Sequence, residues 1–422
     1  MSSFLTSPKA RTATALVSFV FLGLYIYVVL RVWRADWLQD QGDQQSLEAS
    51  ARLEPWDART HWLLGRHFLN GSQDPIRALA NLNRAVKLDP FEGRYWLDVA
   101  AAHEVANEAG ETQKALQQAL HAEPTSPSIA WESATFYLAK NDISRALPLF
   151  RVAMQYNFRN TVAGLDLCWR ATASVSQIIS QVLPLNPDSY FAFINILTDR
   201  NQAAPASELW RALTAQKLKF SVEKTFPYFD YLIKTQQIDQ AEEVWRFLGQ
   251  TDSELLTDPR FNLIANGGFE RRYLNGGFGW RDQPNSQVDV SLDTTEFHSG
   301  TRALRLVFSG PAFSDSGIYQ YVPVRPNVSY RLSAFVKSAD IISASGPRLV
   351  IQDFYSKQEL ATTDDVLATS GWREQVADFV TGPQMRLIVI KVVRVPGNPL
   401  IKGTFWLDDV KLTMIVTAEA NR

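Results

Sequence analysis

The run from Thr12 to Leu30 holds 19 residues without a charged side chain, bracketed by Lys9 and Arg11 on one side and Arg31 and Arg34 on the other. At about 1.5 Å of rise per residue, a helix of this length crosses a hydrocarbon core of about 30 Å. A secretory signal peptide is the competing reading. Its apolar core is shorter, about 7–15 residues, and ends in small residues at a cleavage site. Here the run ends in Leu30-Arg31-Val32-Trp33-Arg34, with no small-x-small site, and Tyr25, Tyr27, Trp33 and Trp37 stand near its C-terminal end. Such rings suit the aromatic belt of a membrane interface. The expectation is an uncleaved transmembrane anchor at 12–32, between a tail at 1–11 and a linker at 33–45. The two flanks carry similar positive charge, so the positive-inside rule leaves orientation to the rest of the chain.

The remaining length of this 422-residue chain allows two or three domains. A net charge of −2 provides no basic face for non-specific nucleic-acid binding, so no nucleic-acid partner is expected. The single cysteine, Cys168, excludes an intramolecular disulfide framework and any cysteine-based metal cluster.

From residue 46 to 250 the chain is rich in Ala, Leu and Trp and repeats itself. Ala85, Ala119 and Ala153 fall 34 residues apart, and Gly65, Ala100 and Ala134 fall 35 and 34 apart. Pro55, Pro90 and Pro124 recur at the same interval, as do Leu82, Leu116 and Phe150. Small residues at fixed positions let paired helices approach closely, and the larger ones fill the groove between pairs. Proline ends the second helix of each pair. The pattern resembles the tetratricopeptide repeat (TPR), on Trp62-Leu63-Leu64-Gly65-Arg66-His67-Phe68 followed by Ala78, Leu82, Ala85 and Asp89-Pro90. Further copies run from Tyr95-Trp96 to Glu123-Pro124 and from Trp131 to Ala153, with weaker echoes at Leu209-Trp210-Arg211 and Val244-Trp245-Arg246; Thr161–Asn186 reads as a distorted copy. The resemblance implies an all-α solenoid that binds a protein or peptide partner. A pure spacer is the other reading.

Past a linker at 251–260, near Thr257-Asp258-Pro259, short alternating runs replace the helical period. They are Gln287–Leu292, Ala303–Phe308, Ile318–Val324, Tyr330–Lys337, Arg348–Phe354, Trp372–Val380, Arg386–Val393 and Thr404–Thr413. Eight such runs between turn residues predict a β-sandwich or jelly roll. Asn266-Gly267-Gly268-Phe269-Glu270, Gly279-Trp280, His298-Ser299-Gly300-Thr301-Arg302-Ala303-Leu304, Tyr330–Lys337 and Phe405-Trp406-Leu407-Asp408-Asp409-Val410 together resemble the galactose-binding-like jelly roll of carbohydrate-binding modules that accompany xylanases and related glycanases. The resemblance covers 261–414 and leaves a tail at 415–422.

That resemblance implies a structural Ca²⁺ held by Glu270, Asp408 and backbone carbonyls near Ser299. Calcium favours hard oxygen ligands drawn from several segments. Strand alternation puts Asp408 on the face of Val410 and Leu412, toward the interior, and makes Asp409 the weaker choice; carboxylates satisfied by backbone amides are the other reading. Glycan binding needs flat aromatic faces beside amide or carboxylate groups. The candidates are Tyr319, Gln320, Tyr321, Gln352, Phe354 and Tyr355, each of which could also serve packing. Trp280, Trp372 and Trp406 lie in framework phrases and are expected in the core.

Catalytic patterns are missing. The sequence has no His-Glu-x-x-His, no Gly-x-Ser-x-Gly and no phosphate-cradling glycine loop with lysine, and Asn275-Gly276-Gly277-Phe278 reads as a turn. A carboxylate pair alone does not make a glycosidase. The chain is thus expected to be a non-enzymatic, membrane-anchored scaffold in the bacterial inner membrane. Its bulk would be periplasmic or extracellular, its repeats would hold a protein, and its sandwich would meet polysaccharide in exopolysaccharide or cell-envelope assembly. The alternative is a protein–protein adaptor whose sandwich binds no sugar.

Overall fold

The uncharged run lies inside one long helix, α1 (Pro8–Gln41), exposed along its apolar length and long and apolar enough to cross a membrane. The computed structural model describes residues 8–155, 161–252, 255, 262–283, 286–310, 314–395 and 400–415. The chain divides into two units, Met1–Leu218 and Lys219–Arg422.

In the first unit α1 is followed by α2 (Gln44–Leu53), α3 (Ala58–Asn70), α4 (Pro75–Leu88), α5 (Gly93–Val105), α6 (Ala109–Ala122), α7 (Pro127–Ala139), α8 (Ile143–Gln155), α9 (Thr161–Thr172), α10 (Val175–Gln181), α11 (Pro187–Asp199) and α12 (Ala203–Ala215). Side chains of Asp43, Asp57, Asp74, Ser174 and Asn186 accept from otherwise unpaired backbone N–H groups at the starts of α2, α3, α4, α10 and α11. Proline occupies the first turn of α4, α7 and α11, where its missing N–H costs nothing. The turns within pairs pass through left-handed residues at a 34-residue interval, Gln73, Asn107 and Asn141. The repeat thus governs backbone conformation as well as packing. Ala85, Ala119 and Ala153 are fully buried. A Cβ on Gly65 would lie 2.6 Å from Leu82 Cγ, so only glycine permits α3 and α4 to approach this closely. The distorted copy at 161–186 is explained by α10, whose seven residues make a shortened second helix.

The stretch 33–45, expected as a linker, is helical except for the turn at 42–43. α1 continues past the apolar run and becomes the first helix of the array. Ala35 is buried and its carbonyl accepts from Ser50 Oγ at 3.0 Å. Gln39 Nε2 donates to Asp57 Oδ2 at 2.9 Å and to Thr60 Oγ1 at 2.8 Å, while Arg31 meets Glu54 at 2.9 Å.

The second unit opens with a 3₁₀ turn (Val222–Thr225), α13 (Phe226–Lys234) and α14 (Ile238–Thr251). This last helix pair therefore falls with the sandwich and not with the preceding repeats. Most of the 251–260 linker, including Thr257-Asp258-Pro259, lies outside the described residues. Ten strands follow: β1 (Trp280–Asp282), β2 (Val288–Asp293), β3 (Ala303–Gly310), β4 (Asp315–Pro323), β5 (Ser329–Ile342), β6 (Arg348–Asp353), β7 (Glu359–Thr362), β8 (Ala368–Val380), β9 (Leu387–Val393) and β10 (Ile401–Met414). All eight sequence-predicted runs are strands; β1 and β7 are too short for alternation to reveal. Two antiparallel five-stranded sheets, β1-β4-β9-β6-β7 and β2-β3-β10-β5-β8, enclose a core that includes Phe269, Trp280, Leu306, Leu332, Ile390 and Phe405. This is the jelly-roll sandwich.

Candidate functional site

On β4 alternation sends Ile318, Gln320 and Val322 into the core and Tyr319 and Tyr321 to the outer face of the first sheet. Gln320 is fully buried. Its Oε1 accepts from Ala265 N at 3.1 Å and its Nε2 donates to Ala265 O at 2.9 Å. It holds the opening segment against β4 and does not share a face with the two tyrosines.

Cross-strand register places Arg281, Tyr319 and Lys391 in one row and Tyr321, Val389 and Gln352 in the next. Phe354 and Tyr355 rise from the turn after β6. Four half-buried rings form a continuous chain: Tyr319 to Tyr321 at 5.3 Å between centroids, Tyr321 to Phe354 at 4.8 Å, and Phe354 to Tyr355 at 4.9 Å. Five of the six sequence candidates thus converge, and Gln320 does not.

The same face meets α13. Tyr355 Oη donates to Ile233 O at 2.7 Å. Arg281 donates to Asp230 at 2.6 Å while its guanidinium lies 4.8 Å from the centre of the Tyr321 ring. Burial pushes the Tyr321 hydroxyl up to about 12, with the Tyr319 hydroxyl adding to it. Burial and then Asp353 push Tyr355 up to about 12. Arg281 was not among the candidates; it lies on β1, whose three residues are too few for alternation to reveal. Phe278 packs against Phe229 at 4.7 Å and Trp245 at 5.9 Å. A Cβ on Gly276 or Gly277 would lie 2.1 Å from the Phe226 or Trp245 ring. The segment Asn275–Phe278, expected only as a turn, is the seat of the helix pair. Of the framework tryptophans, Trp280 and Trp406 are buried and Trp372 is half-buried.

At the seam of the sandwich, Asp408 is fully buried. Its Oδ2 accepts from His298 N at 2.8 Å and Ser299 N at 3.1 Å, and its Oδ1 from Asp409 N at 2.7 Å. Burial raises its carboxyl above the usual range, against those three bonds. Glu270 accepts from Thr301 N at 2.8 Å, Thr301 Oγ1 at 2.5 Å and Arg302 N at 3.4 Å. One turn, 298–302, therefore clips the first and last segments together. Asp409, in the left-handed conformation at a bulge in β10, turns outward to His298 Nδ1 at 2.7 Å. Among the described residues no three His, Cys, Asp or Glu side chains are grouped to hold a metal ion. Glu270 and Asp408 are the carboxylates here that could hold a cation, and both already accept from the turn at 298–302.

In the helical repeats, Trp62 Nε1 donates to Asp98 Oδ2 at 2.5 Å, and Arg66 lies 3.7 Å from the same oxygen and 5.0 Å from the Trp62 ring centre. Burial raises the Asp98 carboxyl despite both partners. This aromatic, acidic and cationic cluster bridges α3 and α5.

No family model matches the chain, and no curated protein matches it. Solved structures match its parts. A structure of CBM4 is 14% identical over 36% of this chain and 99% of its own, with a TM-score of 0.28. The CBM22-1 xylan-binding domain from Paenibacillus barcinonensis Xyn10C is 14% identical over 36% of this chain and 94% of its own, with a TM-score of 0.24. The MamA protein is 13% identical over 46% of this chain and 97% of its own, with a TM-score of 0.30. Each of these likenesses covers only part of the chain.

Proposed function

We propose that this chain is a non-enzymatic scaffold anchored by α1 in the bacterial inner membrane, with its bulk on the periplasmic or extracellular side. Its helical repeats would hold a protein partner and its sandwich would bind a glycan polymer, in exopolysaccharide or cell-envelope assembly. The observation that carries the glycan assignment is the chain of four half-exposed rings from Tyr319 to Tyr355, with Gln352 beside it. Rings of this kind stack on pyranose C–H faces while amide groups meet hydroxyls. The test is a glycan array probed with the full chain in nanodiscs. Binding that falls about tenfold in Tyr319→Ala, the loss of roughly one stacking contact, supports the assignment.

A second reading, a protein–protein adaptor whose sandwich binds no sugar, is favoured by one observation. Tyr321 and Tyr355 already engage Arg281 and α13. Flat responses across the array, in Asp230→Asn as well as in the unmutated chain, would decide for the adaptor.

The proposal includes a structural Ca²⁺ at the seam, held by Glu270 and Asp408 with carbonyls near Ser299. Its support is charge. Asp408 is buried, accepts only backbone N–H donors in the bonds described above, and has the Asp409 carboxylate for a neighbour. A hard divalent cation would offset that charge.

A further inference from the structure

Trp56, at 74% exposure, lies in the corner between α2 and α3, and Phe91, at 79%, lies in the corner between α4 and α5. The two are 35 residues apart, and each follows a proline. Both corners use one device. The Pro55 carbonyl is bonded by His61 Nε2 at 3.2 Å and the Pro90 carbonyl by Trp96 Nε1 at 3.0 Å, in each case a ring six residues on. The exposed rings thus stand on braced turns. One exposed ring is ordinary, but two at the same repeat position on the same edge form a pattern.

Their place along α1 points to what they meet. Ser50 of α2 bonds the Ala35 carbonyl, and four residues along each helix Glu54 pairs with Arg31. Arg31 is the first residue after the uncharged run, so Pro55-Trp56 lies level with the end of the apolar segment. Helices alternate in direction, so the next corner from a second helix to a first helix, which carries Phe91, lies on the same edge. The Arg84 guanidinium lies 5.2 Å from the Trp56 ring centre, and Arg59 and Lys87 beside these corners are exposed. On α1, Trp33 and Trp37 are exposed on the side away from Ala35 and Gln39.

We propose that this edge of the helical array rests on the surface of the bilayer that α1 crosses, with Trp56 and Phe91 in the headgroup layer. The inference depends on the anchor reading and extends it. Tryptophan and phenylalanine bury their apolar rings at the headgroup boundary, and arginine and lysine meet lipid phosphates. The array would then be held against the membrane by α1 at one point and by two corners at others, without a swinging tether.

The test uses the full chain in vesicles of phosphatidylcholine and phosphatidylglycerol. A fluorophore is placed at Arg59→Cys or Arg94→Cys, each three residues past an aromatic that is left in place. Native Cys168 is buried, with its thiol pushed up to about 12 by burial, so labelling at the introduced site is selective. Ile76→Cys, 80% exposed and on the opposite edge, is the reference, and Tyr25→Cys reports the anchor. Spin-labelled headgroups should quench the labels at 59 and 94 at least about twofold more than the label at 76, and Trp56→Asp/Phe91→Asp should abolish the difference. Equal quenching at all three, with the label at 25 quenched by mid-chain spin labels, overturns the docking and leaves the anchor intact. A label at 25 that escapes mid-chain quenching, in protein that fails to float with vesicles, overturns both.

Discussion

Tyr355 donates its phenolic hydrogen to the carbonyl of Ile233 at 2.7 Å, across 122 positions of sequence. The bond joins the turn after β6 to the last turn of α13. Tyr355→Phe keeps the ring and removes the bond, so the second unit should lose about 1 kcal/mol. For a body of this size that lowers the melting temperature by roughly 2–4 °C. Calorimetry of the full chain should show the shift in one transition. No shift would mean that α13 is held by its rings alone.

The helix pair also rests on Gly276 and Gly277. Gly277 has φ +58°, and a Cβ there would lie 2.1 Å from the Trp245 ring. Gly277→Ala therefore adds left-handed strain to overpacking, a combined cost of about 2–4 kcal/mol. Gly371→Ala, where a Cβ meets nothing within 4 Å, should change stability by about 0.5 kcal/mol or less. Equal melting temperatures for the two variants would contradict the close approach.

The repeat period and the strand alternation were legible because each is written in many residues at once. Ala85, Ala119 and Ala153 state the helix contact three times, and eight alternating runs state the sandwich. Gln320 is different. Its amide suggested hydroxyl recognition, yet it sits between Tyr319 and Tyr321, and period-two alternation puts it on the opposite face. The continuation of α1 to Gln41 was hidden by charge, because Arg31, Arg34 and Asp36 end the apolar run without ending the helix. The seat of α13 and α14 depends on contacts between distant residues, such as Trp245 with Gly277, which no local pattern encodes.

Gln39 bridges Asp57 and Thr60 in a buried setting. Gln39→Leu removes both bonds, while Thr60 N and Oγ1 still donate to Asp57, so the cost is about 0.5–1.5 kcal/mol. Hydrogen exchange should then quicken first in α2 and α3. Unchanged protection there would show that α1 is not locked to the array at this point.

Asp293 supplies a pH dependence of known sign. Burial acts to raise its carboxyl, but bonds from Trp406 Nε1 at 2.9 Å and from Thr295 and Glu296 outweigh it and bring it down to about 2. A carboxyl lowered by folding stabilises fully above its unfolded value of 3.8 and loses that contribution as pH falls toward about 2. Asp293→Asn should weaken the fold at neutral pH and flatten the acid limb between those two values. An acid limb of unchanged slope would remove Asp293 from the account.

The seam carboxylates decide the calcium proposal. Asp408 has the opposite sign to Asp293. Burial raises its carboxyl, so its charged form costs stability above the folded pKa unless a cation offsets it. Calcium at 100 times its dissociation constant would stabilise by roughly 2.7 kcal/mol, a rise of several degrees at about 2–4 °C per kcal/mol, and the rise should grow with pH through the range where Asp408 ionises. Glu270→Gln and Asp408→Asn should abolish the calcium dependence, whereas Asp409→Asn should largely keep it. Asp408→Asn should also cost about 1–3 kcal/mol without calcium, because an amide whose oxygen accepts from His298 N and Ser299 N turns its NH2 against Asp409 N. A melting curve of the unmutated chain that EDTA does not move would remove the ion and leave Glu270 and Asp408 as acceptors for the turn at 298–302.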